Sequence, residues 1–81
     1  MPQEPERVQV ELLGETFTVK GDATREEIKK TSDYLQEQFD SMKARFPMLS
    51  AKHVAILTAF NIADELIRLR KDYEALVSIL E

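Results

Sequence analysis

Cysteine and tryptophan are missing from this 81-residue chain, glycine occurs twice, proline three times and histidine once. Without cysteine there is no disulfide framework, no thiolate nucleophile and no thiolate-held zinc. A lone His53 cannot supply the roughly three protein ligands that even a catalytic zinc site needs, so it reads as a surface histidine in a first helical turn. Gly14 and Gly21 both stand in turn contexts, and neither GxGxxG nor GxxxxGK[ST] surrounds them to cradle a phosphate. No cofactor is expected. Basic residues are outnumbered 11 to 15, and the net charge of -4 gives no general attraction to nucleic acid or to anionic lipid. The longest uninterrupted apolar run, Val54 to Leu57, is far short of the roughly 20 residues that span a bilayer. Met1 to Glu6 carry neither the basic nor the apolar region of a signal peptide, so the protein is expected to stay where it is made, which fits the cytoplasm.

Catalytic inventory is equally thin. Ser32, Ser41, Ser50, Thr58 and Ser78 have one histidine between them and no carboxylate constellation to activate any of them. Asp64 and Glu65 are successive helix positions about 100° apart, which suits solvated or partner-pairing acids rather than an acid–base pair. The reading is a protein that is not an enzyme.

What is present describes a folded chain, with 43% hydrophobic and 32% charged residues. A core this small seldom contributes more than roughly 3–5 kcal/mol, and with disulfides and metal excluded, oligomerisation is the remaining staple. Residues 1–6 hold two prolines and two glutamates and read as a flexible tail. From Arg7 the pattern alternates: Val8, Val10 and Leu12 point one way, Gln9 and Glu11 the other, and Phe17 and Val19 repeat it. Gly14-Glu15 between these runs predicts a hairpin with a type II′ turn. Thr24-Arg25-Glu26-Glu27 is a capping box that opens an amphipathic helix carrying Ile28, Leu35, Phe39, Met42 and Phe46, which Pro47 ends.

Ser50 is a candidate N-cap for a second helix that meets neither glycine nor proline before the last residue. One stripe of that helix holds Ile56, Phe60, Ala63 and Ile67 and is expected to pack within its own chain. A second stripe follows a heptad, with Ala59, Leu66, Tyr73 and Leu80 at a and Ala55, Ile62, Leu69 and Leu76 at d. The predicted dimer seam is therefore Ala55, Ala59, Ile62, Leu66, Leu69, Tyr73 and Leu76, with the two copies parallel so that Glu65 at g faces Arg70 at e. The expected fold class is α+β: an N-terminal β-hairpin, one amphipathic helix and a long C-terminal helix forming a coiled-coil dimer. In domain terms this is a head over residues 7–69 and a coiled-coil extension over residues 70–81. Lys29, Lys30, Lys43, Arg45 and Lys52 give a basic bias, either a solvated face or a docking patch for an acidic protein surface.

The run Phe46-Pro47-Met48-Leu49, followed by Val54-Ala55-Ile56-Leu57-Thr58-Ala59-Phe60-Asn61-Ile62-Ala63-Asp64-Glu65-Leu66 behind a hairpin reading Val8-Gln9-Val10-Glu11-Leu12-Leu13-Gly14, resembles the ZapA family of cell-division proteins. The resemblance covers about residues 7–77. It implies a bacterial cytoplasmic protein at the division site that binds FtsZ, the tubulin-like division GTPase, and bundles or aligns its protofilaments. It also implies a head dimer, with two dimers able to join through their helices. In the family, the hairpin turn and second strand are implicated in FtsZ contact; those positions here are Glu15 and Thr18, so Lys20, Lys29, Lys30 or Lys52 would supply any basic charge. The competing reading is a dimeric coiled-coil adaptor that scaffolds a different protein.

Overall fold

The computed structural model describes residues 6–80, and the tail expected at residues 1–6 lies outside them apart from Glu6, which opens the first strand. The elements are β1 (Glu6–Leu12), β2 (Glu15–Gly21), α1 (Arg25–Arg45) and α2 (Ala51–Leu80), the α+β order expected. The chain divides into two compact units, one running through Met48 and the other from Leu49.

In the first unit β1 and β2 pair antiparallel, with Val8 opposite Val19, Val10 opposite Phe17 and Leu12 opposite Glu15. The loop is therefore Leu13-Gly14, not Gly14-Glu15, and the turn is not type II′. Leu13 has φ 53° and Gly14 φ 78°. Positive values at both central residues belong to type I′, whose twist matches that of the flanking strands. Glycine adopts this conformation freely, whereas for leucine it costs on the order of 1 kcal/mol. The Leu13 amide donates to Gln36 Oε1 at 3.3 Å, which ties the turn to α1. Moving the loop by one residue moves the register by two, so Val8, Val10 and Leu12 keep the face that the alternation assigns them.

On that face Val8 and Val10 are buried together with Ile28 of α1, and Leu12 and Ala23 pack against them. The cover stops at β1: Phe17, on the same face of β2, is 47% exposed, and Val19 is exposed as well. Among the described residues the sheet has two strands, so its best-covered strand has no second neighbour among them.

The start of α1 is as the sequence predicts. Glu27 N–H donates to Thr24 Oγ1 at 3.1 Å, and Thr24 N–H donates to Glu27 Oε2 at 3.2 Å. The helix closes with Phe46 N–H on the Met42 carbonyl at 3.0 Å, one residue before Pro47. Thr24→Ala removes the side-chain acceptor and is expected to lower stability by about 1 kcal/mol, read as a lower Tm with unchanged helix content at 10 °C below it. An unchanged Tm would mean that the box contributes nothing.

In the second unit Ser50 caps α2. His53 N–H donates to Ser50 Oγ at 3.2 Å, and Val54 N–H to the Ser50 carbonyl at 2.9 Å. The buried residues of α2 are Val54 and Thr58. The stripe expected to pack within its own chain is not buried: Ile56 and Ile67 are exposed and Phe60 is 76% exposed. A helix that is apolar nearly all round offers several candidate stripes of similar hydrophobicity, and periodicity alone does not select among them.

Candidate functional site

The longest feature left in water is on α2. Ala55, Ala59, Ile62, Leu66, Leu69, Tyr73 and Leu76 recur alternately four and three residues apart, which places them along one face over roughly 32 Å at 1.5 Å per residue. Ala55 and Ile62 are half-buried and the other five are exposed, Leu69 by 67% and Tyr73 by 68%. Beside this stripe Asp64 Oδ2 accepts from Arg68 Nε at 3.0 Å within the same helix, so Asp64 has its cation one turn away rather than a carboxylate partner in Glu65. Contiguous apolar surface of this extent is unusual on a monomeric chain that is otherwise rich in charge.

The six candidate docking residues do not form one patch. Along β2 successive side chains alternate, so Glu15 shares a face with Phe17 and Val19, while Thr18 and Lys20 occupy the opposite face. All three are exposed. On α1, Lys29 flanks an open groove beside β1, whereas Lys30 lies about 100° further round and pairs with Glu26 at 3.9 Å, both side chains being largely in solvent. Lys52 is exposed in the first turn of α2 and belongs to the other unit. The structure thus joins Thr18 with Lys20 and separates Glu15 from them.

His53 is exposed and its Nδ1 lies 2.8 Å from Ser50 Oγ, so the ring is engaged at the helix cap. Among the described residues no cluster of three histidine, aspartate or glutamate side chains is arranged to hold a metal ion, and no helix is long and apolar enough to cross a membrane. Two features escape the sequence pattern. Gln36 is a polar helix residue whose partner, the Leu13 amide, is 23 residues away, and nothing local marks it. Thr58 is 2% exposed with no hydrogen-bond partner for its hydroxyl among the described residues, where a polar residue in a helix would be placed in solvent.

Comparison with known proteins follows the same architecture. The family model described as cell division protein ZapA matches residues 8–81. The cell division protein ZapA of Shouchella clausii is 34% identical over 68 residues, covering 84% of this chain and 87% of that protein. The ZapA of Geobacillus thermodenitrificans is 31% identical over 81 residues, covering 99% and 89% respectively. Among solved structures, a ZapA mutant dimer from Geobacillus stearothermophilus superposes with a TM-score of 0.76 at 28% identity, over 98% of this chain and 92% of that one.

Proposed function

Because the chain belongs to the ZapA family of cell division proteins, we propose that it works without catalysis, as a cytoplasmic homodimer that binds FtsZ and cross-links or aligns its protofilaments at mid-cell. The observation that carries this reading is the exposed apolar stripe of α2 from Ala55 to Leu76, which a second copy of the same stripe would cover. Parallel helices in register set Glu65 beside the partner's Arg70, and residues 70–81 extend the seam toward a second dimer. A two-fold assembly presents each docking surface twice, so contacts that are weak singly become effective on a filament that repeats its own surface. The head is the docking part, because the apolar residues of the C-terminal extension are committed to self-association.

Exposed ion pairs contribute little each and are screened over about 8–10 Å at physiological salt, so pelleting with FtsZ polymer is expected to fall steeply as salt rises. Replacing Lys29, Lys30 and Lys52 together by glutamate is expected to reduce co-sedimentation several-fold while leaving the circular dichroism spectrum and the molar mass unchanged. If the folded triple variant pellets as the parent does, the basic side is not the docking surface, and Glu15, Thr18 and Lys20 are next.

A further inference from the structure

Among the described residues Leu13 is the one non-glycine at positive φ. Asparagine or glycine takes that conformation readily, and Asn-Gly is the pair that a type I′ turn favours; leucine has no such preference. A residue held against its preference persists only where its surroundings fix it, and such residues cluster at functional sites. Here the surroundings are a short relay. Leu13 N–H donates to Gln36 Oε1 at 3.3 Å, and Gln36 Nε2 donates to Asp40 Oδ1 at 2.9 Å, one turn further along α1. The ends of this relay specify its middle. A backbone amide only donates and a carboxylate only accepts, so the group between them must accept on one side and donate on the other. A glutamine amide does so in one orientation, because the flipped amide would turn its oxygen toward the Asp40 carboxylate. Glutamate in its place has no proton for Asp40, lysine has no lone pair for Leu13, and leucine has neither.

We propose that Gln36, oriented by Asp40, is a positioning residue for filament docking: it holds the Leu13-Gly14 turn in its strained conformation, so that the hairpin and α1 meet FtsZ polymer as one preformed surface. The proposal rests on the docking of the head put forward above and names what keeps that surface in shape. Gln36 stands with Lys29 on the groove side of α1, and Glu15 follows directly after the turn. The relay therefore fixes a docking candidate on the strand relative to one on the helix. A surface already in its bound arrangement binds more tightly, because no ordering has to accompany binding. Neither Gln36 nor Asp40 needs to touch the filament for this to hold.

Gln36→Leu keeps a good helix former at a half-buried position and removes both bonds of the relay. Circular dichroism and molar mass are expected to stay as in the parent, while the Leu13 amide opens to hydrogen exchange. Co-sedimentation with FtsZ polymer is expected to weaken about fivefold, the worth of one ordinary hydrogen bond. Two rescues separate positioning from a contact made by Gln36 itself. Leu13→Asn in the Gln36→Leu background gives the turn a residue that accepts positive φ unaided, and is expected to restore pelleting; Leu13→Asn alone is the control and pellets as the parent does. Gln36→Glu sets two carboxylates one helical turn apart and is expected to weaken pelleting, and adding Asp40→Asn, which supplies the new carboxylate with a donor, to restore it. If Gln36→Leu opens the Leu13 amide and pelleting is unchanged, turn conformation does not govern docking and the proposal is overturned. A Leu13 amide as protected in Gln36→Leu as in the parent overturns it too, since the relay is then not what holds the turn. If pelleting falls and neither rescue restores it, Gln36 acts through a contact of its own and positioning is overturned. If the unsubstituted protein does not pellet with FtsZ polymer, the docking reading itself fails and the proposal falls with it.

Discussion

Leu66→Asp is expected to leave the protein monomeric at micromolar concentration and to remove most of its co-sedimentation with FtsZ polymer. Leu66 is the a position at the middle of the proposed seam, between Ala59 and Tyr73, and in a two-fold dimer built on it both aspartates meet at the axis. Burying that pair costs several kcal/mol, as much as a domain of this size has to lose. In the isolated chain Leu66 is already exposed, so the charge does not break α2 itself. Helix content at low temperature should therefore survive while molar mass halves. Filament binding falls with it because each particle then carries a single docking surface. Ser78→Asp, at the outward f position of the same heptad frame, is the matched control and is expected to change neither property. A Leu66→Asp protein that sediments as a dimer would refute the seam.

Ile28→Ala is the second large effect, and it lies in the other unit. Ile28 is the α1 residue buried with Val8 and Val10, so truncating it opens the cluster that holds the hairpin against the helix. Such truncations cost about 2–5 kcal/mol. A domain of this length gains only roughly 3–5 kcal/mol from its core, so the loss is close to the whole margin. Amide exchange should show strand amides of β1 and β2 unprotected, with α2 affected less. Protection in β1 equal to the parent's would mean that the cluster is not what secures the hairpin.

The elements most legible in the sequence are those written in local chemistry. Thr24 and Glu27 mark the first turn of α1 because each needs only the other's backbone, and Pro47 marks its end for an equally local reason. The hairpin is legible as alternation, but its turn is not: shifting the loop from Gly14-Glu15 to Leu13-Gly14 changes no residue's face, and no propensity places leucine at positive φ. What resolves it is Gln36, a tertiary partner 23 residues away. The extent of α2 follows from the absence of breakers, whereas which residues it buries does not. Val54 and Thr58 are buried and Ile56 and Phe60 exposed, and periodicity does not select among stripes of similar hydrophobicity. For the docking candidates strand parity is readable in advance, since Glu15 and Thr18 are three apart and must oppose each other, but whether either meets a partner depends on a surface that this chain does not contain.

The shortness of the roll of buried apolar side chains, Val8, Val10, Ile28, Phe39 and Val54 among the described residues, has a consequence for how such a protein behaves in a cell. When so little is enclosed within one copy, pairing adds to the stability of the fold by mass action, and abundance becomes a thermodynamic variable of the native state. Each tenfold dilution withdraws about 1.4 kcal/mol per dimer. Melting temperature should then climb with protein concentration, and a cell that halves its supply of the chain also lowers the folded fraction of what is left. On the proposed function, gathering copies along a filament raises their local concentration, so FtsZ polymer would act on this protein as a folding aid as well as a target.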